Sequence, residues 1–217
     1  MTNCKLSTER GRGRPRKGKE HNGEALLEAA LACFAQNGFE KTSLRTIAAR
    51  AGVDVALLSY RFGSKLGLWT AVVDAMAEET LEQLQAWPHE QRDRTPEEQL
   101  RNLCSGMVTL VADRPLFAQL LISEIMTGAD EERQALIQER MAQPVHELLL
   151  EYAARLRNLT SDEARERLDL ALIATMSMIG VLVSTRPFLS RFSPIGENDE
   201  AFKAKLASLM HQLLTLN

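Results

Sequence analysis

A chain of 217 residues, 45% hydrophobic and 25% charged, can bury a real core, and its ordinary composition excludes a collagenous, low-complexity or wholly disordered protein. The net charge of -3 hides an asymmetry: residues 1–65 hold twelve Lys and Arg against six Asp and Glu, and the rest hold fourteen against twenty-three. A basic front on an acidic body predicts nucleic acid touched by one part only.

Residues 1–22 are polar, with Gly11, Gly13, Pro15 and Gly18 among seven Lys and Arg, and predict a disordered arm. Within it Arg12-Gly13-Arg14-Pro15-Arg16-Lys17 resembles an AT-hook core, whose arginines, here Arg12 and Arg14, slide into a narrow minor groove. The same residues also suit a solvated basic tail that attracts phosphate without reading sequence. Leu27, Ala30, Leu31 and Phe34 then predict a helix over 24–37, ended by Gly38 in the left-handed region, with Cys33 packed beside the stripe.

Ser43 is a good N-cap for a helix carrying Leu44, Ile47, Ala48 and Ala51 on one face. Gly52 supplies a tight turn, Val53 plugs it, and Asp54 caps a short helix whose Leu58 and Phe62 face inward. Two short helices joined by a glycine turn make a helix-turn-helix, whose second member lies in the DNA major groove. Its outward side carries Val55, Ala56, Ser59, Tyr60 and Arg61, groups suited to base edges, thymine methyls and phosphates. A plain αα-hairpin has the same spacing, so it is the basic surroundings that favour DNA.

The order of helix, Gly38-Phe39, Thr42-Ser43, Ile47-Ala48, Ala51-Gly52-Val53, Leu58, Phe62, Ser64-Lys65 and Leu68 closely resembles the N-terminal domain of TetR-type regulators, over about residues 20–75. The resemblance implies DNA contacts from Val55, Ala56, Leu57, Ser59, Tyr60, Arg61 and Lys65, with Arg45 and Ser43 from the preceding helix and its cap. Ser59 stands where a tyrosine is common in that family. The resemblance also implies a connecting helix over 64–85, and Trp69, Val72, Val73, Met76, Thr80 and Leu84 do share one face. Trp87-Pro88 is expected to stop it ahead of a polar loop at 88–95.

Thr95-Pro96-Glu97-Glu98 is a capped start for a helix to about 113, bearing Leu100, Leu103, Met107, Leu110 and Val111. Pro115 opens a short helix to 126, Gly128 ends it, and 129–157 reads as a longer helix kinked near Pro144. Ser161-Asp162-Glu163 caps the next helix, which ends near 185. Its apolar run, 170–183, is too short to span a bilayer and the right length for a buried helix. Residues 186–196 suit a loop or short turns. The closing helix, 198–216, sets Phe202, Leu206, Leu209, Leu213 and Leu216 at intervals of 4, 3, 4 and 3. That seam suits packing within the chain or against a second copy. The TetR-type resemblance implies a dimer through the last two long helices, placing Leu172, Met176, Ile179, Leu206, Leu209 and Leu213 at the interface.

Helices starting near 68, 96, 116 and 130 are expected to surround an apolar centre where a small molecule binds, lined by Leu103, Met107, Leu110, Met126, Met141, His146 and Met176. Thr109, Ser123 and Glu124 could also orient a ligand, while Asp130-Glu131-Glu132-Arg133 reads as a solvated helix start. The four histidines stand apart, with no HxxxH or CxxC spacing and no G-x-S-x-G elbow. No enzyme, metal or cofactor is therefore expected. Cys4, Cys33 and Cys104 suit free thiols in a reducing compartment, and no signal peptide opens the chain.

The reading is an all-α fold: a basic arm at 1–19, a helix-turn-helix DNA-binding domain at 20–66, and a helical ligand-binding and dimerisation domain at 67–217. The expected function is a sequence-specific homodimeric repressor, released from a palindromic operator by a small apolar ligand. Its partners are double-stranded DNA, that effector and a second copy, in the bacterial cytoplasm and away from membranes. The rival is a helical ligand-binding or scaffolding protein whose hairpin is only structural.

Overall fold

The computed structural model describes residues 21–127 and 130–215, so Arg12, Arg14, the rest of the arm, Gly128 and Leu216 lie outside the described residues. Among those described, every regular element is helical. α1 (His21–Lys41) is interrupted at Gly38, whose φ of 76° and ψ of 165° belong to a region open almost only to glycine. The expected helix end is there, and one more turn follows it. α2 (Leu44–Ala51) and α3 (Val55–Phe62) come next, then α4 (Lys65–Glu90) with Ser64 as its cap.

α4 does not stop at Trp87-Pro88. Pro88 sits in its last turn, where the missing N–H removes one bond, and Gln91 N donates to Trp87 O at 3.0 Å to close the helix. Pro187 is tolerated in the same way near the end of α9 (Asp162–Leu189). The loop expected from 186 therefore shrinks to a few residues and a 3-10 turn, Pro194–Gly196. Between lie α5 (Pro96–Ala112), with a complete Thr95–Glu98 capping box, and α6 (Pro115–Thr127). The kink expected near Pro144 is a π-helical stretch, Gln138–Ala142, between α7 (Glu131–Ile137) and α8 (Gln143–Leu156). The widened turn accommodates a ring that would otherwise meet the carbonyl one turn back. α10 (Asp199–Thr215) closes the described chain.

Two apolar clusters hold these helices. The first joins Leu26, Phe34, Ile47, Leu58, Leu68 and Trp69 of α1–α4 to Phe117 and Leu120 of α6 and Ile137 of α7. The helix-turn-helix thus shares its core with the body, and α1 packs along α6. The second cluster is built from α5, α8, α9 and α10 with the far end of α4.

α9 runs 28 residues, so the expectation that its apolar run is too short for a bilayer does not hold: by length and composition the helix is long enough to cross one. Leu168, Leu172, Ile179 and Val183 are buried in the chain's own core, while Leu170, Ile173, Val181 and Phe188 are exposed. The run is buried on one face only, not all round.

Candidate nucleic-acid interface

The hairpin is built by local capping. Ser43 Oγ accepts from Thr46 N at 3.1 Å and Asp54 Oδ1 accepts from Ala56 N at 2.7 Å, satisfying donors that a helix start leaves free. Gly52, at φ 67° and ψ 32°, makes the left-handed turn that brings α3 back across α2. Behind the pair, Ile47, Ala48 and Leu58 are buried against α1 and α4, which fixes the angle between the two short helices.

The opposite face of α3 is open. Tyr60 is 91% exposed, and Val55, Ala56, Leu57 and Ser59 are exposed around it, with Arg45 and Ser43 exposed on α2 and its cap. This is a convex row of apolar, hydroxyl and phenolic groups on an eight-residue helix, the dimensions that enter a major groove.

Two expected contacts are placed differently. The Arg61 guanidinium turns back onto α1, where a Cβ at Gly23 would come within 2.9 Å of its Nη2, and it lies 5.3 Å from the Phe62 ring centre. Lys65 Nζ donates to the carbonyls of Phe39 at 2.9 Å and Glu40 at 3.4 Å, closing the end of α1. Both cations favour nearby acceptors or ring faces over open solvent, a choice the one-dimensional motif does not reveal.

Sequence reasoning missed a cluster behind this interface. Arg133, expected in a solvated run, is buried, and its Nε donates at 2.9 Å to Glu124, also buried. Glu124 is therefore an ion-pair partner, its carboxylate engaged by Arg133. Thr42 is buried too, its hydroxyl 2.8 Å from Gly38 O and 3.1 Å from Cys33 O, tying α1 to the start of α2.

The expected ligand-lining residues are not gathered in one place. Met107 is core, Met126 is 77% exposed at the end of α6, and Met141 and Met176 are half-buried at the margins of the clusters. His146 Nε2 stands 2.6 Å from Asp169 Oδ1, joining α8 to α9. Leu103 lines a cleft of about 30 Å³ with Trp87, Gln91, Gln99, Asn102 and Tyr152. Leu110 lines a second, open groove that also borders Trp87. In the cleft Asn102 donates to Gln91 at 2.6 Å and the Tyr152 hydroxyl donates to Gln99 at 3.2 Å, so its polar lining is uncharged.

Of the residues expected at a subunit interface, Leu172, Ile179 and Leu206 are buried in the chain's own core and unavailable to a partner. The inward stripe of α10 is Phe202, Leu206, Met210 and Leu214, at steps of four; Leu209 falls off it to the surface, and Leu213 and Met176 are half-buried. A 4-3-4-3 spacing does not say which of two apolar stripes turns inward.

The likenesses to known proteins agree with this geometry. The family model described as bacterial regulatory proteins, tetR family, matches residues 26–72, the span from α1 into α4. The HTH-type transcriptional regulator RutR of Escherichia coli K12 is 32% identical over 149 residues, covering 65% of this chain and 68% of RutR. The HTH-type transcriptional dual regulator CecR of Shigella flexneri is 28% identical over 173 residues, 74% of each chain. A TetR-like transcriptional regulator from Rhodococcus sp. RHA1 shares the fold, with a TM-score of 0.67 at 24% identity over 93% of this chain and 96% of that one. With its capped helix pair, its exposed α3 face and these relatives, the chain belongs to the tetR family of bacterial regulatory proteins, DNA-binding regulators of transcription.

Proposed function

We propose that this regulator is a homodimeric repressor that reads a palindromic operator with α3 of each copy and is released by a small molecule bound in the body. The observation that carries the reading is the open face of α3, with Tyr60 at its centre and Val55, Ala56, Leu57, Ser59, Arg45 and Ser43 around it. Arg12 and Arg14 would add contacts from the arm, and Lys65 and Arg61 would act mainly by holding α1. Two such helices on a two-fold axis enter successive major grooves about 34 Å apart. The functional division is a reader at 20–66 and a body at 67–217, acting in the bacterial cytoplasm at the nucleoid; no catalytic role is proposed.

The dimer would form through the outward faces of α9 and α10, where Ile173, Val181 and Leu209 leave apolar surface uncovered, with Met176 and Leu213 at its edges. The effector would enter beside Leu103, between α4, α5 and α8, where the cleft of about 30 Å³ has room for little more than a water and must widen to admit it. The uncharged amides, phenol and indole there suit a neutral, hydrogen-bonding molecule more than a purely apolar one. It releases DNA only insofar as it prefers the non-binding geometry.

Selection of bound fragments from genomic DNA, followed by gel shifts on the enriched sites, tests the reading. Enrichment of a palindrome whose binding survives excess competitor is expected. Binding that follows A·T content without a palindrome would favour an architectural protein, and no binding at low ionic strength would favour a scaffold. Reporter expression from the selected promoter separates repression from the activation that the dual-regulator name of CecR also implies for that protein.

A further inference from the structure

Arg133 is 2% exposed on α7, a helix that belongs to the body. Its Nε donates to Glu124 of α6, and its Nη1 lies 3.3 Å from Asp130 Oδ2, which anchors the guanidinium with two carboxylates of its own neighbourhood. That anchoring already neutralises the charge. The same guanidinium nevertheless reaches across to the first helix: Nη1 is 3.3 Å from Glu40 Oε1, and the guanidinium carbon is 4.1 Å over the centre of the Phe39 ring.

Phe39 is the side chain on which the reading end is assembled. It stacks on Phe34, meets Trp69 edge-on and carries Lys65 Nζ 4.2 Å over the same ring. From Phe39 the chain passes at once to α2: Thr42 N donates to Phe39 O at 3.2 Å, and Ser43 begins the capped pair. The residue whose ring Arg133 covers is thus also the residue whose carbonyl holds the approach to α2.

We propose that Arg133 is a positioning residue for DNA reading, seating the Phe39–Glu40 corner against the body so that α2 and α3 meet DNA at a fixed angle. A planar guanidinium stacked on a ring and hydrogen-bonded at its edge fixes direction as well as distance, which a flexible ammonium does not. The inference rests on the DNA-reading role proposed above.

The test uses the full chain and a duplex that the wild-type protein has itself selected. Operator affinity is measured by fluorescence anisotropy for Arg133→Lys, for Phe39→Leu and for the two together, with sedimentation and thermal unfolding on each. Arg133→Lys is expected to weaken operator binding roughly tenfold while the protein stays folded with wild-type mass, and to add little further loss once Phe39→Leu is present, because contacting groups couple. Should Arg133→Lys fail to fold, Arg133→Met with Glu124→Gln removes both charges together and avoids a buried carboxylate without its partner; the same loss and the same coupling are expected. Wild-type affinity in a folded variant, or an equal loss with and without Phe39, overturns the proposal. Failure of the wild-type protein to select any duplex overturns the regulator reading instead, before any variant is made.

Discussion

Lys65 Nζ donates to the Phe39 carbonyl at 2.9 Å and stands 4.2 Å over the Phe39 ring, so this cation closes the end of α1 instead of projecting toward a phosphate. Tyr60, five residues earlier, makes no such contact and is 91% exposed. The two residues should fail in different ways. Tyr60→Ala is expected to weaken operator binding by about 1–3 kcal/mol with no change in thermal midpoint, whereas Lys65→Ala should lower both affinity and midpoint. Anisotropy titrations paired with melting curves distinguish them; an unaltered midpoint in Lys65→Ala would mean its hydrogen bonds hold nothing.

The surface of α9 and α10 predicts where subunits part. Ile173→Asp combined with Leu209→Asp places charge on exposed apolar positions and should give a folded monomer in sedimentation velocity. Leu206→Asp puts a carboxylate into the chain's own core and should unfold the protein, because an unpaired buried charge is among the most destabilising changes. A persistent dimer in the first variant would place the interface elsewhere.

Gly106 lies under the Trp87 ring, and a Cβ there would sit 2.5 Å from Cζ2 and 2.7 Å from Cη2. Gly106→Ala must displace the indole, at a cost of about 1–3 kcal/mol, and should shift tryptophan emission as the ring moves toward water. Emission and melting both identical to wild type would contradict the packing described. Because Trp87 borders both the cleft at Leu103 and the groove at Leu110, the same variant should alter effector response before it alters operator affinity.

Burial pushes the Cys104 thiol up to about 12, so at pH 8 only about one molecule in ten thousand carries the reactive thiolate. Iodoacetamide should leave the Cys104 peptide unmodified in the native protein and label it fully in denaturant. Mass spectrometry that found native labelling within minutes would sink this.

The Thr95 backbone N–H and hydroxyl, each 2.9 Å from Glu98 Oε2, hold the Glu98 carboxyl below the ordinary glutamate range. A depressed carboxylate contributes stability that is present above its unfolded value and is lost as pH falls through the folded one. Thr95→Ala should therefore lower the melting temperature at pH 7, by about 2–4 °C for a lost cap in a chain of this size, and by less at pH 3. Equal losses at both pH values would mean that the carboxylate plays no part.

Much of this was legible beforehand because it is local. Ser43, Asp54, Thr95 and Ser161 all cap the helices expected of them, since a cap depends only on residues two or three apart. Gly38 and Gly52 take the positive φ that their positions require. The proline positions misled: Trp87-Pro88 and Arg186-Pro187 read as stops, yet a helix loses only one bond to a proline in its last turn.

By itself, then, the order of residues determined the all-helical class, the capped pair and the open face of α3. Only tertiary structure decided which apolar stripe of α9 and α10 turns inward, and that Arg133, in what reads as a solvated run, is buried against Glu124 and Phe39. The reason is separation along the chain. Periodicity and capping are settled within one or two turns, whereas the partners of a charge such as Arg133 and Glu40 lie 93 residues apart and meet only when α1 and α7 are packed.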